Sequence, residues 1–358
     1  MQTIDVLFNR GQHVSRLITG FHLLETKGIK VNFIEDSTNS RNAPHSSVVE
    51  ARIDGKCIAF DMCDGYSLTP QNAASYLYRV DAYFKRSYDK NMDKDLSEIE
   101  LSKIRPFGFD YYATYKGNPI DIQPTSLKGK VKQAARDVIG YDKCMEVEYF
   151  EQKADYKTKD LKIIFMTRLW DPAEISIEDD MSDDFRSYSE YMIREREKIN
   201  ADRAKIIREL RTIYGNLFVG GIQHSTFAEK YCPDILIPKK LTRKKTYLDQ
   251  MHAADICIGS MGLHKSIGWK TGEYVAASRA VVAERFAYEV TGNFAENINY
   301  IPFDSVEECL TAVERLYNNP EEVYKMKCAN ETYYKNYLRP ERQITNALEQ
   351  CVDWDFEL

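Results

Sequence analysis

Between Gly262 and Glu284 the chain reads GLHKSIGWKTGEYVAASRAVVAE. Two lysines (Lys265, Lys270), Ser266 and the bare backbone of Gly262 and Gly268 surround the start of a predicted helix over 267–278, with Glu273 inside it. A helix entrance carries unpaired N–H groups and the positive end of the dipole, and both favour anions such as phosphate. The glycines let a ligand approach the backbone, and Lys265 or Lys270 supplies countercharge. Glu273 lies too deep in the helix, and has the wrong sign, for a phosphate. A carboxylate does accept two hydrogen bonds from vicinal hydroxyls such as a ribose diol. Phosphates at the entrance and a diol at Glu273 describe a nucleoside diphosphate. The plain alternative has Ser266 capping the helix, the lysines solvated and Glu273 on the surface. Gly259–Ser266 also matches GxxxxGK[ST] except at the second glycine, where His264 stands; a P-loop needs that glycine for its tight turn.

Chemistry at a helix entrance requires strands to carry the loop. TIDVLF (3–8), GQHVSRLITGFHLLETKG (11–28) and IKVNFIED read as strand, helix and strand, a βαβ unit with a parallel sheet. Two strand-like runs then flank Asp54-Gly55, a type I′ hairpin dipeptide. Residues 85–160 show weak periodicity and give no topology. From 161 the pattern alternates: strand LKIIFMTRLWDP, a helix over 190–214 with Ile199, Ile206, Leu210 and Ile213 on one stripe, then NLFVGGI, DILIP, TYLDQMHAA, DICIGS, helix 267–278, AVVAE, NYIPF and helix 305–317. The fold class is α/β with two Rossmann-like domains, 1–155 and 156–335, followed by a C-terminal segment 336–358. The acidic run IEDDMSDD (177–184) reads as a solvated loop.

The chain has 358 residues, 43% hydrophobic, with formal net charge -6. That apolar content suffices for two cores. The acidic balance argues against nucleic acid as a partner. No run of 18 apolar residues occurs, and the first residues lack the regions of a signal peptide. Eight scattered cysteines without a CxxC pair fit a reduced cytoplasmic chain, and neither they nor the six histidines show zinc-ligand spacing. Neither metal nor cofactor is expected. Asp353-Trp354-Asp355 spells D-x-D but has no strand to present it. The basic run KKLTRKK (239–245) reads as a solvated face, or as a peripheral contact with an anionic lipid-linked partner at the inner face of a membrane.

From about 161 to 340 the sequence resembles the donor-binding domain of GT-B glycosyltransferases, especially the retaining group that includes glycogen and sucrose synthase relatives. The matching blocks are FMTRLWDP, YLDQMHAADICIGS, GLHKSIGWKTGEYVAASRAVVAE and IPFDSVEECLTAVERLYNNPE, in that order. The resemblance implies transfer of a sugar from a nucleotide-sugar donor to a carbohydrate or lipid-linked glycan acceptor, with 1–155 on the acceptor side, 156–335 binding the donor and a C-terminal helix in 336–358 packing back on the first domain. It places Gly11, Arg168, Lys265, Ser266, Ile267, Gly268, Lys270 and Glu273 at the donor. Arg168 and Lys270 would stabilise the diphosphate, and His13, after the first strand, matches the position of the base in inverting relatives. Two departures stand out. Lys265 occupies the position of the group's first glutamate, and Asp171-Pro172 stands where a lysine usually follows the Arg-Leu pair.

Overall fold

The computed structural model describes residues 3–65, 70–91, 96–120, 126, 131, 143–178, 181–354 and 356. Its first sheet contains β1 (Thr3–Phe8), β2 (Lys30–Glu35), β3 (Val48–Ile53), β4 (Lys56–Asp61), β5 (Ala82–Lys85) and β6 (Ile104–Pro106), in the order β2-β1-β3-β4-β5-β6. β1 and β2 are parallel across helix Ser15–Thr26, as the βαβ pattern requires. β3 runs antiparallel to both β1 and β4, so this sheet is mixed. Two residues join β3 to β4, and so short a connection permits only an antiparallel pair. Asp54 and Gly55 both take positive φ (50° and 77°), the signature of a type I′ turn.

The second sheet contains β7 (Ile163–Thr167), β8 (Phe218–Ile222), β9 (Ile256–Gly259), β10 (Ala280–Glu284) and β11 (Ile301–Phe303). All its pairs are parallel, in the order β11-β10-β9-β7-β8. Counted from β7 this is the doubly wound order 2-1-3-4-5, whose direction of winding reverses between β7 and β9. Pro302 is tolerated because β11 lies at the edge. The two Rossmann-like domains face each other across a cleft.

Helix Pro340–Leu348 returns to the first domain, where Ile344 and Leu348 join Ile4, Val6 and Phe21 in one apolar cluster. Gly20 permits the approach: a Cβ there would lie 2.6 Å from the Pro340 carbonyl oxygen. No helix of the described residues is long and apolar enough to cross a membrane.

Four local readings need correction. DILIP is not a strand; Pro233–Ile235 forms a 3-10 turn, and only an isolated bridge joins Leu236 to Ile222. Its alternating isoleucines are buried, which mimics a strand, but Pro233 and Pro238 deprive it of two ladder donors. The long helix begins at Asp183, not 190. Ser182 caps it, accepting from the Phe185 N–H (3.5 Å), and Asp183 and Asp184 complement its dipole, so part of the acidic run is a helix start rather than a loop; Asp179 and Asp180 lie outside the described residues. Ile213 is exposed; in that last turn it is the neighbouring Tyr214, in ring contact with Tyr317, that packs against the core. Residues 107–118, within the stretch that gives no topology, are mostly non-repetitive chain, and Phe109 and Tyr111 pack with Ile164 and Tyr274 of the second domain. Of the D-x-D triplet, Asp355 lies outside the described residues.

Candidate functional site

At the switch point the loops after β7 and β9 diverge, and a cavity of about 740 Å³ opens above them, within the range of small-molecule sites. The second domain contributes Arg168, Ser266, Ile267, Gly268, Lys270 and Glu273 to its walls; the first contributes Gln12, His13, His45, Asp64 and Arg86. Gly11 and Lys265 do not line it. Gly11 is extended (φ -177°) and exposed, and nothing lies within 4 Å of where its Cβ would be.

Lys265 is turned away for a visible reason. His264 and Lys265 both adopt left-handed backbone (φ 58° and 56°), and their N–H groups donate to the two oxygens of Glu195 (3.1 and 3.3 Å). A carboxylate therefore sits where a P-loop would receive phosphate. Ser266 does not cap the next helix either; its hydroxyl donates to the Leu263 carbonyl (2.8 Å) and closes the turn. The helix Trp269–Ala276 starts at Gly268 with no side-chain cap and no acidic residue in its first turn. Such an uncapped, acid-free helix N-terminus is the arrangement that favours an anion. Gly262 and Gly268 are required for space: a Cβ would lie 2.6 Å from Ser266 Oγ in the first case and 2.9 Å from the Ser260 carbonyl in the second.

Glu273 stands one turn inside that helix and is 3% exposed. Its Oε1 pairs with Lys244, a member of the basic run that read as solvated. Its Oε2 makes no well-formed hydrogen bond; the Tyr247 hydroxyl, itself without one, interacts with the Glu273 carboxylate. Burial alone would raise its pKa, but Lys244 and Lys270 outweigh burial and hold the carboxyl below its ordinary value, hence ionised. Lys270 lies against the Tyr247 ring, Nζ 3.7 Å from the centroid. Burial pulls Lys270 down to about 8, against the pull of Glu273.

That value gives a pH test. In the free protein Lys270 loses its charge as pH rises through about 8. A bound diphosphate would raise the lysine's pKa, so binding above that pH takes up a proton. Nucleotide affinity is expected to be flat below pH 8 and to fall by up to about tenfold per unit above it. Calorimetric affinities that agree at pH 7 and pH 9.5 would remove Lys270 from the phosphate.

Arg168 follows β7 and is exposed in the cleft, its guanidinium carbon 3.8 Å from the Trp170 ring centroid. Beneath it, Arg203 of the long helix is 5% exposed. It donates to the Arg168 carbonyl (2.6 Å), the Met261 carbonyl (2.8 Å) and Ser260 Oγ (3.0 Å), tying the two switch-point loops together. Asp171 is a local cap, accepting from the Ala173 N–H (2.9 Å).

On the facing wall, the His13 ring meets Trp269 edge-on (centroids 5.3 Å), and its buried Nδ1 has no partner. Arg86 pairs with Asp64 and donates to the Ile267 carbonyl (3.0 Å), latching the first domain onto the Gly-rich loop. Under Asp64 the chain is anchored by a fully buried Lys85–Asp61 pair (2.9 Å). Buried polar atoms normally find partners, so exceptions need an explanation. Glu273 Oε2, the Tyr247 hydroxyl, His13 Nδ1 and the Trp170 indole N–H are four such exceptions, all on residues of this one cavity.

No family model and no curated protein matches the chain. Among solved structures, the MnaA–UDP complex of S. aureus aligns with a TM-score of 0.46 over 98% of this chain and 96% of its own, at 12% identity. Anabaena HepE in complex with UDP and glucose aligns at 0.40, over 98% of this chain and 100% of its own, at 10% identity. The C-terminal domain of the glycosyl transferase group 1 family protein LpcC from Francisella tularensis covers 53% of this chain with 96% of its own, at a TM-score of 0.33 and 11% identity.

Proposed function

We propose that the protein is a hexosyltransferase-type glycosyltransferase that moves a sugar from a nucleoside diphosphate sugar to a glycan or lipid-linked acceptor. The observation that carries this reading is the convergence at one switch point of an uncapped helix N-terminus, Arg168, Lys270 and a buried ionised Glu273 with one oxygen in no well-formed hydrogen bond. Diphosphate at the helix entrance and ribose diol at Glu273 fit these groups in sequence. The sugar then points toward the wall that carries His13 and Asp64.

The chemical step separates the sugar from a diphosphate. Charge grows on the departing phosphate, and preorganised cations and N–H groups facing it lower the barrier. Arg168, Lys270 and the first turn of helix Trp269–Ala276 have that role. Transfer proceeds with retention: the acceptor hydroxyl attacks on the face the phosphate leaves, and the phosphate takes its proton. His13 then positions the acceptor. NMR of the product's anomeric centre tests this, with retention and a modest loss in His13→Ala expected. Inversion together with a ~10²–10⁴-fold loss in that variant would make His13 a general base and overturn the stereochemical reading.

A second reading has one observation in its favour. Lys265, at the position of the group's first glutamate, is exposed and lies off the cavity, so that position presents no carboxylate to the cavity. A non-catalytic nucleotide-sugar-binding subunit would tolerate that. It would bind donor and show neither hydrolysis nor transfer.

A further inference from the structure

We infer that a second cavity, across the 261–265 loop from the first, binds a neutral sugar unit of the acceptor; this rests on the glycosyltransferase reading. It measures about 330 Å³, at the small end of ligand sites, and Gly262 lines both cavities. Its polar wall carries Arg194, Lys198, Lys265, Glu195 and Glu284, and Tyr191 stands among them.

The charges decide the class of ligand. Three cations and two carboxylates nearly balance, and most are already engaged. Glu195 holds the His264 and Lys265 N–H groups, Lys198 pairs with Asp202 (2.6 Å), Arg194 with Glu190 (3.5 Å), and Glu284 accepts from the Met261 N–H. Burial moreover raises the Glu284 carboxyl, which weakens its charge. Such a wall has little net field for a phosphate or an ammonium group, but it offers donors and acceptors side by side. Hydroxyl groups, which both donate and accept, suit it. Tyr191, Ile199 and Met261 supply the apolar surface that the C–H face of a pyranose needs.

The surroundings extend the same chemistry. Tyr188 is 53% exposed and lies parallel to His264 (9°, centroids 6.5 Å), and His264 lines the first cavity. Phe185, one turn earlier on the same helix, is 68% exposed. An aromatic row thus flanks the route between the two cavities. A chain of sugars crossing that row would place one unit in the second cavity and a later unit beside the donor.

The test uses the full chain and a panel of neutral trisaccharides of gluco, galacto, manno and N-acetylglucosamino configuration. Saturation-transfer NMR reads their binding to wild type, Tyr191→Ala and Arg194→Ala; calorimetry reads nucleoside diphosphate affinity in parallel. At least one trisaccharide is expected to bind wild type and to weaken roughly tenfold in Tyr191→Ala, with nucleotide affinity unchanged. Arg194→Ala, an exposed change, should weaken the same trisaccharide. Failure of every trisaccharide to bind, or equal binding to all three proteins, overturns the inference. Saccharide binding that depends on Tyr191 without any nucleotide binding would sink the glycosyltransferase reading and leave the sugar site standing.

Discussion

Arg168→Ala is expected to lower sugar transfer by ~10²–10³-fold while leaving affinity for the bare nucleoside unchanged. The guanidinium stands at the carboxyl end of β7, on the switch point, where the phosphate nearest the scissile bond would lie. Its interaction strengthens as charge develops, so the loss should appear in kcat more than in binding. The side chain leans on Trp170 and is exposed, so its removal should not disturb the fold. Steady-state kinetics with the full donor, set beside calorimetry with the nucleoside, separates the two effects. Wild-type turnover in the variant would make Arg168 structural.

Arg203→Met should cost about 3 kcal/mol of stability and abolish tight donor binding. Each buried acceptor left without its donor costs ~1–3 kcal/mol, and Arg203 serves two loop carbonyls and Ser260 Oγ. The methionine fills much of the space but donates nothing. Loosened, the loops after β7 and β9 would no longer hold Arg168 and the Gly-rich turn in register. Chemical denaturation and nucleotide calorimetry on the variant check both halves. A variant as stable as wild type with normal affinity would show that the loops hold themselves.

Arg203 also shows where the sequence misleads. Ile199, Arg203, Ile206 and Leu210 follow helical spacing, so an arginine sits on the stripe that faces the core. That break in the apolar pattern was the legible signal of a buried structural cation. Lys244 gave no such signal: within KKLTRKK every cation looks alike, and only the fold aims one at Glu273. The same holds for Glu195, far from the Gly-rich loop in sequence and hydrogen-bonded to it in space. Elements were easier to read than partners. The parallel second sheet followed from alternating apolar runs and helices, and the Asp54-Gly55 hairpin from turn chemistry. Residues 107–118 resisted because their backbone is mostly irregular; they are ordered by packing against the other domain, which leaves no period to read.

The central claim, that the cleft at the β7/β9 switch point holds a nucleoside diphosphate through Glu273, is tested most directly by thermal unfolding. Wild type and Glu273→Gln are heated with UDP, GDP, TDP, ADP and CMP in turn. A nucleotide at a hundred times its dissociation constant stabilises the fold by ~2.7 kcal/mol, a rise of several degrees in midpoint. One nucleoside diphosphate should give that rise in wild type. In Glu273→Gln the rise should shrink by the equivalent of a roughly ten- to hundredfold weaker affinity, the loss of a hydrogen bond to a charged group. No rise with any of the five, or an equal rise in both proteins, would contradict the account.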